Sequence, residues 1–87
     1  MKLEGERMDQ RLGVIGIIIE DRKESAARVN ALLSQFGDLI VGRMGVPHKE
    51  RGISVIGLIV EASTDQLGAL TGKLGMLPKV RVKSILV

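Results

Sequence analysis

Residues 14–20 read VIGIIIE, and residues 55–61, forty-one positions later, read VIGLIVE. Five of the seven letters are identical, and the other two exchange Ile for Leu or Val. A second echo follows at nearly the same offset: NALLSQFG (30–37) aligns with GALTGKLG (68–75). A chain of 87 residues has room for one core. Two copies of one supersecondary unit must therefore share that core, which excludes most other arrangements.

Each copy reads as strand, helix, strand. LGVIGIII, from Arg11 onward, is continuous and β-branched, as expected of a central strand buried on both faces. Asp21 precedes Glu24 by three, a capping-box spacing. Ala26, Val29, Leu33 and Phe36, with Leu32, form a helical stripe, and Gly37 is the expected left-handed stop. A short strand is predicted over about Leu39 to Met44, followed by a turn, MGVPHKERG. ISVIGLIVEA reads as the third strand, and Ser63 or Thr64 caps a second helix with Leu67, Leu70 and Leu74 on its apolar face. Gly75 ends that helix, Pro78 forbids its continuation, and KVRVKSILV is the fourth strand. Two interleaved β-α-β units make an α+β, ferredoxin-like βαββαβ domain, a four-stranded antiparallel sheet with two helices on one face. Right-handed crossovers put the two strands with the repeated phrase at its centre. Residues 11–87 read as this single domain, preceded by a flexible tail, MKLEGERMDQ, over 1–10.

Strand alternation divides the repeated phrase into two sets. Ile15, Ile17, Ile19, Ile56, Leu58 and Val60 are the bulkier set and belong under the helices. Val14, Gly16, Ile18, Val55, Gly57 and Ile59 then lie on the face without helices. Exposing a large apolar side chain forgoes about 1.5–3 kcal/mol. Four of them forgo roughly 6–12 kcal/mol, an upper bound, against a domain stability of about 5–15 kcal/mol. Such a patch marks an interface, and glycine lets a second backbone come close. The expected partner is the protein itself, as a homodimer or homotetramer. The other accounts are that the glycines only ease sheet twist, or that the two faces are inverted.

Composition removes several classes of chemistry. There is no cysteine and one histidine, His48, so no metal ligand set and no cofactor are expected. A Ser or Thr nucleophile would need His48 as its base, and nothing brings Ser54 to it. Glu20 and Glu61 end equivalent strands that run antiparallel, so they do not share a site. One aromatic residue and a net charge of +3, interleaved with acids, do not suit direct nucleic-acid binding. The longest apolar run, Val14 to Ile19, cannot span a bilayer, and the N-terminus lacks a secretory h-region. A cytoplasmic protein with no membrane partner is expected. Lys79, Arg81 and Lys83 face outward on an edge strand, where they discourage unwanted pairing.

The stretch GRMGVPHKERG is the candidate ligand site. Gly42, Gly45 and Gly52 allow unusual backbone angles, and Arg43, His48, Glu50 and Arg51 supply polar groups. It ends without the Gly-Lys-Ser/Thr of a phosphate-binding loop. Gly68 and Gly72, four apart on one helix, cost it roughly 2 kcal/mol together; the expected return is close packing against a neighbouring element. Together these residues are expected to line a subunit-interface cleft for a small anionic effector or a partner protein.

The chain after the tail resembles a family of small ACT-like proteins proposed to regulate the iron-only hydrogenase system. The resemblance rests on FGDLIVGRMG at 36–45, ERGIS at 50–54 and GALTGKLGMLP at 68–78. It implies an ACT-like domain, a regulatory role without catalysis, and oligomerisation. More distantly, the chain is similar to the effector domain of the nickel-responsive repressor. It lacks that protein's nickel ligands and DNA-binding arm, so neither function carries over. Amino-acid-binding ACT domains often use a glycine after strand one, where this chain has EDRKES. Two other readings compete: a ligand-free structural subunit, and a small enzyme. Acylphosphatases share this topology and use an arginine after strand one and an asparagine on strand two. Here Arg22 matches, while Asn30 falls in the first helix.

Overall fold

The computed structural model describes residues 10–87; the expected tail lies almost wholly outside them. The elements run β1 (Arg11–Ile19), α1 (Arg22–Gln35), β2 (Ile40–His48), β3 (Ile53–Ala62), α2 (Thr64–Gly75) and β4 (Val80–Leu86). Single 3-10 turns, Gly37–Leu39 and Lys49–Arg51, precede and follow β2. The sheet order is β2-β3-β1-β4, all neighbours antiparallel, so the two strands of the repeat lie side by side at the centre.

One side of this sheet carries the core. Ile15, Ile17, Ile19, Ile56, Leu58 and Val60 pack with Val29 and Leu33 of α1 and Leu67, Leu70 and Leu74 of α2. Asp21 caps α1 by accepting from the amides of Lys23 and Glu24. At α2, Ser63 accepts from the Gln66 amide while the Gln66 side chain accepts from the Ser63 amide, a complete capping box.

Four local expectations need correction. β1 was expected to be buried on both faces, yet its residues alternate exposed and buried, so one chain covers only one side. β2 reaches His48, well beyond Met44, and the supposed long turn shrinks to Lys49–Arg51 and Gly52, whose φ is +67°. Gly45 and Pro47 read as turn residues, but β2 is an edge strand, where proline is tolerated. Leu39 lies in a 3-10 turn, and α1 ends at Gln35 without a left-handed glycine: Gly37 opens that turn instead.

The fourth correction concerns Lys79, expected to face outward in β4. It lies before the strand with φ at +61°. The turn holds it there from two sides. The Glu20 amide donates to the Lys79 carbonyl at 2.8 Å, and the buried Ser25 hydroxyl donates to the carbonyl of Pro78. A left-handed non-glycine residue costs about 1–2 kcal/mol. Glycine loses part of that gain to its freer unfolded chain. Lys79→Gly is therefore expected to raise stability by about 0.5–1 kcal/mol, and the melting temperature by a few degrees. A lower melting temperature would show that the turn does not strain the lysine.

Candidate functional site

The open side of the sheet is a grid, because strand register places its residues in rows. Gly16 lies directly opposite Gly57, Val14 opposite Ile59, and Ile18 opposite Val55. The repeat offset of forty-one maps residue 16 onto 57, so the pseudo-twofold of the sequence passes through the glycine pair. β2 extends the rows with Gly42, Met44 and Val46 beside Ile59, Gly57 and Val55. β4 extends them on the other side with Ile85, Lys83 and Arg81 beside Val14, Gly16 and Ile18. Val14 and Ile59 are 44% and 47% exposed, while Met44 and Ile85 reach 70% and 66%. The glycine pair makes a dip in this surface, since a Cβ on either residue would meet nothing within 4 Å. An apolar hollow of about 310 Å³ lies over Gly42 and Gly57, walled by Val14, Met44 and Ile59.

The hairpin residues do not converge. Arg43 sits on the helix side of β2 and donates from Nη2 to the Oδ1 of Asn30 at 3.0 Å. Arg51 lines a hollow of about 330 Å³ with Ile18, Glu20, Ile53 and Arg81, on the open side. Arg81 faces Glu20 there at 3.7 Å, with both side chains largely solvated; such a pair contributes about 0–1 kcal/mol. Gly52 and Ser54 line an adjoining hollow with Glu20, Asp21 and Lys23. His48 ends β2 opposite Ile53, and Glu50 is exposed in the turn. Gly45 shares a pocket with Asn30 and Arg43. Gly68 and Gly72 lie across the molecule, lining a groove between α2 and β4. The close packing expected of them is not made within the chain, as a Cβ on either would meet nothing within 4 Å.

Among the described residues no three His, Cys, Asp or Glu side chains are grouped to hold a metal ion. Dialysis against a strong chelator is expected to leave the thermal unfolding curve unchanged. A fall of many degrees, reversed by zinc or nickel, is the contrary result. No described helix is long and apolar enough to cross a membrane.

Over residues 11–84 the sequence matches the TM1266-like family, described as "Iron-only hydrogenase system regulator, putative". The chain belongs to this family. It is 37% identical to the uncharacterized protein TM1266 from Thermotoga maritima, with a TM-score of 0.87 over 90% of this chain and 98% of the other. It is 25% identical to the ACT domain of the GTP pyrophosphokinase of Chlorobium tepidum, with a TM-score of 0.73 over 90% and 89% of the two chains. The fold of this TM1266-like chain is thus ACT-like. A nitrogen regulatory PII-like protein from Thiomonas intermedia shares the fold alone, at 20% identity and a TM-score of 0.53 over 87% and 90% of the chains. No functionally curated protein matches.

Four apolar residues of the open face in this TM1266-like chain lie outside the set expected from the sequence: Leu12, which continues the even positions of β1, and Met44, Val46 and Ile85. The signal for Ile85 was present, because Val80 and Val82 facing inward put every odd position of β4 outward. Met44 and Val46 were hidden by the glycine and proline around them, which read as the beginning of a turn.

Proposed function

We propose that this chain is a non-catalytic regulatory module of the cytoplasm, and that its working form is a homo-oligomer joined through the open face of the sheet. The observation that carries this reading is that face itself. Val14, Ile18, Val55 and Ile59 stand at the centre of a sheet whose other side holds the whole core, and a contiguous apolar patch of this kind marks an interface. Membership of a family of proposed regulators and the ACT-like fold support the regulatory half of the reading. Sedimentation at micromolar concentration is expected to give a dimer or larger; a monomer sinks the proposal.

The effector is proposed to be a small anion, or an acidic group of a partner protein, held at the hairpin end by Arg51 and Gly52 with His48 and Glu50 nearby. The guanidinium groups of Arg51 and Arg81 offer charge-assisted hydrogen bonds there, at the end of the open face beside Ile53 and the Glu20 carboxylate, which faces Arg81 at 3.7 Å. Arg43, Gly45, Gly68 and Gly72 can contribute only through contacts between copies, given their separate positions. Calorimetric titration with a panel of metabolite carboxylates and phosphates is the test. Arg51→Ala is expected to weaken binding at least tenfold, and Arg43→Ala, on the other side of the sheet, to leave it within twofold. Equal binding by the Arg51 variant removes this site, and no binding across the panel favours a scaffold without a ligand.

A further inference from the structure

We infer that the occupant of the open face is a second copy related by a twofold axis that runs parallel to the strands and over the Gly16–Gly57 pair, so that Ile85 of each copy seats in the Gly42 hollow of the other. The inference rests on the reading of this face as the oligomer interface and names its geometry.

Size comes first. Four strands at about 4.8 Å spacing, and nine residues at about 3.4 Å each, make a face of roughly 19 by 30 Å. That is about 600 Å² on each copy and about 1,200 Å² in all, the lower bound for a stable specific interface. A partner must therefore cover nearly the whole face, and an axis over its centre does so.

The placement of Lys83 then selects among the twofold axes that lie between two such sheets, since Glu61, opposite Leu12 at the end of the face, stays at the rim on each of them. With the axis across the strands, each row-two residue meets itself, and Lys83 stacks on the partner's Lys83 in a region losing water. With the sheets crossed at right angles, Lys83 lies over the partner's Val14 and Ile59 or its Ile18 and Val55, which buries an ammonium on hydrocarbon. With the axis along the strands, β2 faces the partner's β4 and β3 faces the partner's β1. Lys83 then lies along the partner's Met44 at the rim, where its stem covers the thioether and its ammonium reaches water. Arg81, already turned to Glu20, meets the partner's Val46 at the same rim.

Shape agrees with this choice. The same axis sets Ile85, exposed at 66% on an edge strand, opposite the partner's Gly42, the floor of the hollow of about 310 Å³. Ile59 meets the partner's Val14, Ile18 meets the partner's Val55, and glycine meets glycine at the axis. A protruding side chain thus faces a missing one, twice, and the large central residues meet in the layer about 10 Å thick that packed sheets require.

Two experiments test this geometry. The protein has no cysteine, so thiols can be placed at will. Met44→Cys with Lys83→Cys in one chain puts thiols three strands apart, roughly 14 Å within a copy, but face to face between copies. A short thiol-to-thiol cross-linker is expected to convert most of the double variant to covalent dimer and little of either single variant. Efficient cross-linking of Met44→Cys alone overturns the axis in favour of the one across the strands, and failure of the double variant overturns it outright. Second, Gly42→Leu places a side chain in the hollow from a position where an added Cβ meets nothing within 4 Å inside the chain. The dimer dissociation constant is expected to rise at least tenfold while the circular dichroism spectrum is unchanged. An unaltered constant overturns the seat for Ile85. A wild-type protein that is monomeric removes the interface reading itself, whereas a dimer with the wrong cross-links removes only this geometry.

Discussion

Replacing both Val14 and Ile59 with glutamate is expected to give a folded monomer from a parent that sediments as a dimer or larger. The two residues are direct cross-strand partners on the open face, each nearly half exposed in the single chain. Within a monomer the new carboxylates remain in water, and their mutual repulsion costs at most about 1 kcal/mol. Within a dimer each carboxylate would be pressed against apolar groups of the other copy. The penalty for an unpaired buried ion is several kcal/mol, and two copies carry four such ions. Dissociation should strengthen by more than a thousandfold, since every 1.4 kcal/mol is a factor of about ten. Sedimentation velocity reads the assembly, and circular dichroism confirms that the fold persists. A double variant that still sediments with the parent would place the interface elsewhere.

Leu58→Ala, one residue from Ile59, is expected to act on stability. Leu58 is fully buried under the helices, opposite Ile15 of β1, in the cluster with Leu70 and Leu74. Truncation removes three carbons from a packed site and leaves a cavity, at a cost of about 2–5 kcal/mol. For a domain stable by about 5–15 kcal/mol that is a large share, and it lowers the melting temperature by roughly 10–30 °C. Urea denaturation of the folded variant measures it; a loss below about 1 kcal/mol would mean that this layer is not the core. Adjacent residues of similar bulk thus separate the two properties: the even position carries stability and the odd one assembly.

The separation of those two faces was legible in the sequence, and the reason is local. A strand turns its side chains over every second residue whatever lies around it, so VIGIIIE and VIGLIVE declare two faces before any contact is known. The repeat likewise placed β1 and β3 together at the centre, since two interleaved β-α-β units with right-handed crossovers leave those strands innermost. Ser63 and Asp21 announced their helices because capping is settled within four residues.

The hairpin was read less well, because its decisive facts are not local. Arg43 and Arg51 look like neighbours eight residues apart, yet β2 turns Arg43 toward α1 and Asn30 while the turn after β2 carries Arg51 to the opposite side. Where a strand ends depends on whether the next strand has a partner residue to offer, and β3 offers Ile53 to His48. That pairing carried β2 through a glycine and a proline which signal a turn by themselves. Backbone sign was decided the same way. Glycine is the residue that adopts a left-handed angle freely, but neither Gly37 nor Gly75 does so, and Lys79 does. The hydrogen bonds from Glu20 and Ser25 to the turn around Lys79 come from elements far away in sequence. They exist only once β4 has docked beside β1, and the free energy of that docking outweighs the local preference of one residue.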